Sequence, residues 1–516
     1  MLSSTRASSG GMFEMAMFNR LFQLASTRRS AAVVATIAAT ASFAIASASG
    51  PSLRVVIFGG GPTPESNQVA IENNVKWMMS ILPEWSNSFV MFGDGTSTTE
   101  TVQISPVRTK AHRVLATFFG DGPTDVAKDT PIAYRPSSVS RIDAASKKSS
   151  IEAAFGQLEK ERSKDPVFLY FTGHGSRGRT GFDTNRYDLW REEGMTPAEL
   201  VTQLEKVKKG VPVTILMVQC FSGAFANVIF EGANEQSGLL DRQVCGFFAA
   251  TPDRVAAGCT PELNEAEYRD FSSTFLAAIT GKDRVGRTVQ MPDYNGNGWT
   301  GFDEAYYFSL IEDPSIDVPV VTSDAFLRKF VPVTDDNEVA ATPWTDVLKW
   351  ANPAQRAALV GLCEKIGGEA LTEKRLEVAL SEFRRRGRQG DAQVVYPADV
   401  REELAKSVAA LSAQFPNLSR RGGTDPNLSR VERGRAVHFL QANPDVLESY
   451  LKVCEKIDAA QDVAEADAVR GARWIRLLRL GKSIVLEHRL REAKDRGTIK
   501  RFEALRKLES GNPLRS

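Results

Sequence analysis

Histidine and cysteine are scarce in this chain, which has four histidines and five cysteines among 516 residues. An excess of charge of one sign is also lacking, because 64 Lys and Arg face 63 Asp and Glu. The formal net charge of +1 gives no reason to expect nucleic acid or an anionic surface as a partner. Phosphate-binding motifs are missing as well: Gly59–Gly61 does not continue as Gly-x-Gly-x-x-Gly or Gly-Lys-Ser/Thr, so nucleotide binding is not expected.

A long uncharged apolar run occurs near the amino terminus, from Ala31 to Ala48. Arg28 and Arg29 precede it, and it ends in the small-x-small pattern Ala46-Ser47-Ala48. These features predict that residues 1–48 are a signal peptide and that the mature protein is exported to a periplasm, a lumen or the medium. The alternative is an uncleaved membrane anchor, because 18 residues can just span a bilayer; its high Ala and Ser content favours the signal peptide.

Two short apolar runs, Val167–Phe171 and Val213–Gln219, predict strands that are buried on both faces of a sheet. Between them, Thr196 is a good N-cap, Pro197 fits the first helical position and Glu199 the third. A strand–helix–strand unit of this kind makes a right-handed crossover with parallel strands. The carboxyl ends of both strands are therefore expected at the same edge of the sheet, where α/β folds build their sites.

His174 follows the first strand and Cys220 follows the second, 46 residues later. In a Cys–His pair the imidazole takes the thiol proton, and the thiolate is the nucleophile. Gly175 allows a backbone N–H to approach a substrate carbonyl, and the N–H of Cys220 could supply the second oxyanion donor. A packed thiol and a packed imidazole are the alternative, but each residue lies at a strand end that is followed within three residues by glycine, which favours a catalytic dyad.

The segments Phe171–Ser176 and Cys220–Gly223 resemble the His and Cys motifs of the caspase-like superfamily of cysteine peptidases, and the first is most similar to the legumain branch. The resemblance covers roughly residues 52–330. It implies a three-layer α/β/α sandwich with a mostly parallel sheet, and a cysteine endopeptidase that acts on proteins or peptides through an acyl-enzyme, with no cofactor required for the chemistry. A non-catalytic scaffold on the same fold and a transpeptidase are the alternatives.

The same resemblance implies a substrate pocket. In legumains the loop after the first strand carries pocket residues, including an arginine that reads an Asn side chain; the stretch here contains Ser66 and Asn67, but no arginine. Phe221 stands where legumains have Glu, directly after the nucleophile. Asp270 matches an acidic pocket residue, with a turn or N-cap carboxylate as the alternative. An unpaired Asp270 would favour Arg or Lys ahead of the cut bond.

A calcium-binding loop is predicted by Asp293, Asn295, Asn297, Trp299 and Glu304. Their spacing matches loop positions 1, 3, 5, 7 and 12 of an EF-hand, and Trp299 would bind through its backbone carbonyl. A structural Ca2+ ion is expected on this interpretation, without an entering helix. The alternative is an Asn-Gly turn that precedes a helix and binds no metal.

Four cysteines remain once Cys220 is assigned to catalysis, and export would make disulfides possible. The most local pairing is Cys245–Cys259 with Cys363–Cys454, and free buried thiols are the alternative. Oligomeric state is not indicated by the sequence.

The length predicts more than one domain: after the signal, a peptidase domain at residues 49–335 and a helical carboxy-terminal domain at 336–516. The second domain could be regulatory or a scaffold, and the helices near Trp474–Glu509 could dock on a partner. Two local predictions complete the picture: Val114–Phe119 as a strand, and a helix from about Gly223 whose dipole would favour a thiolate at Cys220.

Overall fold

A six-stranded sheet is the central feature of this computed structural model. The structure describes residues 52–515 except 106–108, 120–132, 162, 259–263, 266–267, 333–334, 368–371, 390–395 and 419–425. The predicted signal segment and Cys259 therefore lie outside the described residues. Gly50–Ser516 form one compact unit, and the predicted domain boundary at 335/336 within it stays a prediction.

The strands account for the main sheet and two small ones. Their bounds are β1 Leu53–Gly59, β2 Ser86–Phe92, β3 Val102–Ile104, β4 Ala133–Arg135, β5 Val167–Phe171, β6 Gly175–Ser176, β7 Arg186–Leu189, β8 Glu193–Met195, β9 Pro212–Met217, β10 Gln243–Phe248 and β11 Val320–Val321. The main sheet has the order β11-β10-β9-β5-β1-β2. All of its neighbouring strands are parallel except β10 and β11, as predicted for a mostly parallel sheet.

Helices cover both faces of the sheet and make up the carboxy-terminal region. Their bounds are α1 Val69–Ile81, α2 Lys110–Phe119, α3 Lys148–Lys160, α4 Pro197–Leu204, α5 Phe271–Thr280, α6 Phe302–Glu312, α7 Thr322–Phe330, α8 Asp336–Ala340, α9 Trp344–Trp350, α10 Pro353–Lys365, α11 Arg375–Gln389, α12 Ala398–Gln414, α13 Pro426–Ala442, α14 Pro444–Glu492 and α15 Arg496–Glu509. The predicted capping box of α4, in which Thr196 and Glu199 exchange hydrogen bonds, is confirmed.

Alternate residues of the central strands face two different cores, because successive side chains of a strand point to opposite faces. On β1, Val55 and Ile57 pack with α1, α5 and α6, whereas Val56 and Phe58 pack with α3, α4, α7 and α15. This arrangement is the predicted three-layer α/β/α sandwich, and the described elements after residue 335 are all helical. The predicted fold class is confirmed.

The 49-residue helix α14 contributes to several cores, including the one with α3, α4, α7 and α15, which contains its Leu486 and Leu490. Its carboxy-terminal half places Trp474, Leu477 and Ile484 in the core that includes α1, α5 and α6. Its amino-terminal half places Leu451 and Cys454 in a separate cluster with α2, α12 and α13. The apolar side chains near the carboxyl terminus are thus buried against this chain itself.

Two local predictions are corrected by the structure, and a third is made more specific. Val114–Phe119 belongs to the helix α2, not to a strand, because its apolar side chains pack at helical spacing into the cluster around α14. The helix predicted from about Gly223 spans Ser222–Ile229 and is a 3-10 helix. None of the four described cysteines is in a disulfide; Cys363 and Cys454 lie in different clusters, so their predicted pairing is wrong.

Candidate active site

The loops that carry His174 and Cys220 leave neighbouring strands at the same level of the sheet. In the β5–β9 ladder Phe171 pairs with Met217, and the two candidate catalytic residues each follow three positions later. The backbone N–H of Val218 still donates to the carbonyl of Phe171, at 3.1 Å. Both loops therefore begin side by side at the carboxyl edge of the parallel strands, where the sequence predicted the site.

Gly175 lies directly against the backbone of Cys220. A Cβ atom added to Gly175 would come within 2.2 Å of the Cys220 carbonyl oxygen and 2.9 Å of Cγ of Gln219. Only glycine fits such a close approach, because any side chain would force the loops apart. The requirement for glycine here thus follows from contact between the two strand ends.

The ring of His174 is held through Nε2. This nitrogen lies 2.9 Å from the backbone carbonyl oxygen of Ser66 and 2.8 Å from Oε1 of Gln68. A backbone carbonyl can only accept a hydrogen bond, so Nε2 carries the proton in the neutral ring. Nδ1 is then the basic nitrogen, available to take a proton from a thiol.

Burial also sets the charge of this imidazole. It lowers the pKa of His174 below its usual value, an effect that the Ser66 carbonyl and the negative charge of Asp188 offset only in part. The Asp188 carboxylate is itself held by the hydroxyl of Ser176 at 2.6 Å and by Arg186 at 3.1 Å. His174 is therefore neutral near pH 7, the state that a general base requires.

The Cys220 thiol has a backbone donor beside it. The N–H of Ala256 points at Sγ over 3.3 Å, and Sγ lies 3.8 Å from the Ala256 carbonyl oxygen, to which the thiol can donate. The next residue, Phe221, has φ of 59° and ψ of 14°, which is left-handed backbone, and its N–H donates to the Arg254 carbonyl at 2.8 Å. For a bulky side chain such backbone costs about 1–2 kcal/mol. The turn that places Cys220 at the sheet edge thus contains a strained backbone conformation at Phe221.

The other described cysteines differ from Cys220. Cys245, Cys363 and Cys454 are buried, and burial raises the pKa of each thiol. Cys220 is partly exposed. It is therefore the described thiol that a reagent in solution reaches most easily.

Of the two predicted pocket residues in the loop after β1, one contacts His174 and the other holds the loop. Ser66 contributes its carbonyl to the imidazole, as described above. Asn67 is fully buried; its Oδ1 accepts from the N–H of Gly61 at 3.1 Å, and its Nδ2 donates to the Thr101 carbonyl at 3.1 Å. A substrate contact by the Asn67 side chain would require this loop to open.

Asp270 is not an unpaired carboxylate, which removes the premise for a basic residue ahead of the cut bond. It is the N-cap of α5 and accepts from the backbone N–H of Ser273 at 2.7 Å and from the hydroxyl of Ser272 at 2.9 Å. Nη2 of Arg284 lies 3.9 Å from its Oδ1, and both side chains are almost completely buried. Asp270 therefore has the N-cap role that was the alternative, together with a cationic neighbour.

Arg284 is held between the rings of Trp77 and Tyr268, at 4.7 and 4.4 Å from their centroids. Its guanidinium also donates to Asn74, whose amide contacts Thr172 at 2.9 Å, two residues before His174. Nη1 is buried and has no hydrogen-bond partner among the described residues. The Arg284 guanidinium thus places an N–H donor that has no acceptor among the described residues close to the loop of His174.

The predicted calcium loop is closed by its own hydrogen bonds. Asp293 accepts from the backbone N–H groups of Asn297 and Gly298, each at 2.9 Å. The buried carboxylate of Glu304 accepts from the N–H groups of Asn295 and Gly301, each at 3.0 Å. Within the described ranges, no three side chains of His, Cys, Asp or Glu are gathered as a metal site. The oxygens of Glu304 would have to exchange these bonds for a metal ion, and calcium binding stays a prediction.

Sequence reasoning missed several parts of this site: the Ser66 carbonyl, Gln68, the Ala256 N–H and Arg284. Two of these are backbone atoms, which no residue type marks in a sequence. Gln68 lies beside residues that the resemblance already singled out, so its amide was the one recognisable signal. Arg284 reaches the site from beyond α5, and its position could not be read from local spacing.

The solved structures that are similar to this chain include two at 12% identity. One is a secreted C11 cysteine protease from Bacteroides thetaiotaomicron in complex with an irreversible peptide inhibitor, at 12% identity and a TM-score of 0.28, with 58% of this chain and 71% of that chain covered. The other is a crystal structure of a Geobacter sulfurreducens protein, at 12% identity and a TM-score of 0.30, with 52% and 92% covered. Likenesses of this size carry no argument about function.

No family model matches the chain, and no curated protein gives a significant match. Among the described residues, none of the helices combines the length and the apolar character needed to cross a bilayer.

Proposed function

We propose that this chain is a cysteine endopeptidase of the caspase-like superfamily, with Cys220 as nucleophile and His174 as acid–base group. The observation that carries the proposal is the 2.9 Å contact between His174 Nε2 and the Ser66 carbonyl. It leaves Nδ1 basic in a loop whose next residue, Gly175, lies against the backbone of Cys220.

The reaction follows from these groups. Nδ1 of His174 accepts the Cys220 proton, and Sγ forms a bond to the scissile carbonyl carbon. The N–H groups of Gly175 and Cys220 stabilise the oxyanion. When the C–N bond breaks, the leaving amine takes the proton from His174 and an acyl-enzyme remains. Water then gives a proton to His174 and its hydroxyl to the thioester, which releases the acid and restores the thiol.

The proposal is tested by the reactivity of Cys220. Iodoacetamide at pH 7 is expected to alkylate Cys220 at least about 10-fold faster than an unperturbed thiol, because neutral His174 takes the thiol proton as the sulfur reacts. His174→Ala should remove this advantage, and Cys220→Ala should abolish cleavage of a fluorogenic peptide library. Peptide mass mapping assigns the alkylated residue.

A Cys220 that reacts no faster than a simple thiol, with no peptide cleaved, would instead favour a scaffold on the same fold. Adding a peptide with a free amino terminus separates hydrolysis from ligation, since an amine can resolve the same acyl-enzyme.

The pocket residues support a preference for an uncharged or acidic residue ahead of the cut bond. The Arg284 guanidinium already lies at Asp270, so a second cation would meet repulsion there. Its Nη1, which has no partner among the described residues, could donate to a side-chain oxygen of the substrate. Arg-, Lys-, Asn- and Asp-type substrates distinguish these cases. Arg284→Met should shift the preference toward Arg and Lys, whereas Arg287→Met, on the same loop but exposed, should not. A wild-type preference for Arg or Lys would contradict this assignment.

Export and calcium binding complete the proposal, and they rest on sequence. Export predicts that the mature chain begins near residue 49, which amino-terminal sequencing of the secreted protein would check. Calcium predicts a higher melting temperature with the ion than with chelator, because a ligand bound only by the folded state stabilises it. Equal melting curves would leave the loop as a turn without metal.

A further inference from the structure

A short turn, Asp313–Asp317, lies between the candidate site and the long helix α14. It follows α6 directly, and both carboxylates at its ends are fully buried. The Asp313 side chain accepts from the backbone N–H of Ser315 at 3.0 Å and from its hydroxyl at 2.8 Å. The turn is therefore a compact polar segment inside the protein, and the buried Asp313 carboxylate needs a cationic partner there.

That partner is Arg476 of α14, whose side chain is completely buried. Nε donates to the Asp317 carbonyl at 2.8 Å, and Nη1 donates to the carbonyls of Leu310 and Asp313 at 3.2 and 2.9 Å. Nη2 donates to the Asp313 carboxylate at 3.1 Å and to the Ser315 carbonyl at 2.9 Å. One guanidinium thus fixes the backbone of the whole turn.

The Asp317 carboxylate connects this turn to the site. Oδ1 accepts from the backbone N–H of Ala257 at 2.7 Å, and Oδ2 accepts from the N–H of Phe271 at 2.9 Å. Ala257 follows Ala256, whose N–H points at the Cys220 sulfur. Phe271 follows Asp270, the N-cap of the pocket helix α5. The Asp317 carboxylate therefore holds both the loop that contains Ala256 and the amino-terminal end of α5.

We propose that Arg476 and Asp317 are positioning residues of the active site, through which α14 fixes the Ala256 N–H against Cys220. The inference rests on the proposed function and extends it to the carboxy-terminal region. The carboxy-terminal half of α14 is then a permanent part of the catalytic unit, because the loop beside the nucleophile is tied to it. Loss of the contact between Arg476 and the Asp313–Asp317 turn therefore lowers activity. Loss of an inhibitory segment would raise it.

The sharpest test is Asp317→Asn, which keeps the shape of the side chain but replaces one acceptor oxygen by a donor. Its effect should be smaller than the loss of a whole oxyanion donor: kcat for the best peptide is expected to fall about 10-fold with little change in KM. The pH profile of Cys220 alkylation should shift to higher pH, because the thiolate loses a fixed N–H. Arg476→Met should act in the same direction.

Arg479→Met is the matched control, because Arg479 lies three residues along the same helix and its ion pair is with Asp324 on α7. It should leave kcat and the alkylation profile unchanged. Backbone amide exchange at Ala256 and Ala257 gives a readout that does not depend on activity; it should be faster in Asp317→Asn and unchanged in Arg479→Met.

The outcomes are distinguishable. Wild-type exchange and alkylation in Asp317→Asn, or higher kcat in Arg476→Met, would overturn the positioning role. An unreactive Cys220 in the wild type would defeat the peptidase proposal itself, while the exchange measurement still decides whether Asp317 fixes the loop.

Discussion

The two halves of α14 have the same secondary structure but belong to different environments. The carboxy-terminal half lies beside the main sheet, with Leu477 fully buried and Arg476 bound to the turn behind the site. The amino-terminal half contributes Leu451 and Cys454 to a cluster that is formed mainly by α2, α12 and α13. Between them the helix is largely exposed, and Val463 is 71% accessible. Helical continuity alone therefore does not make the two halves equally important to the site.

The largest expected difference comes from the same substitution in each half. Leu477→Ala and Leu451→Ala both remove buried methyl groups, and each should cost about 2–5 kcal/mol of local stability. Only Leu477→Ala should lower peptidase activity, because its core is shared with α1, α5 and α6. Denaturant unfolding followed together with activity would measure this. Equal loss of activity in the two variants would contradict the functional difference between the two halves of α14.

The pH dependence of activity tests the same comparison, with an expected effect of intermediate size. Because burial lowers the pKa of His174, the neutral base persists below the usual histidine value of about 6.5. Activity should therefore decline on the acid side only as pH falls through that lowered value. The profile of kcat/KM should keep the same acid limb in Leu451→Ala. An acid limb above pH ~6.5 would contradict the buried, neutral imidazole.

The smallest effect is expected where the two halves join. Hydrogen bonds from Arg386, assisted by Arg470, hold the pKa of Asp467 at about 2, but its side chain is 38% exposed. Solvent screening limits such a pair to about 0–1 kcal/mol. Asp467→Asn should thus lower the melting temperature slightly in low salt and not at all in 1 M salt, at unchanged activity. A salt-independent loss would indicate a packing role instead.

The sequence was most informative where local patterns decide structure. The buried runs of β5 and β9 and the capping box at Thr196 determine a crossover, and the crossover brings His174 and Cys220 to one edge. The six residues Val114–Phe119 were misread because a short apolar run fits a strand or a helix until its packing partners are known. Those partners lie more than 280 residues later in the chain, around Val400 and Leu451.

Contacts between distant parts of the chain were not predictable in the same way. Arg476 lies in a heavily charged helical region, where an arginine more often faces solvent, yet it is buried against a turn 159 residues earlier. The pairing of Arg284 with Asp270 likewise depends on how the segment after α5 folds back. The contacts of Asp270 and Arg284 thus needed coordinates, whereas the placement of His174 and Cys220 at one edge of the sheet followed from the crossover.

The edge strand β11 has a consequence for self-association. It contributes only two residues, both nearly inaccessible, and the chain turns into α7 immediately afterwards. An incoming strand from another molecule would find few open backbone groups and a covered border. Concentrated solutions of this protein should therefore resist growth of intermolecular β-structure at that side, even though the sheet interior is strongly apolar.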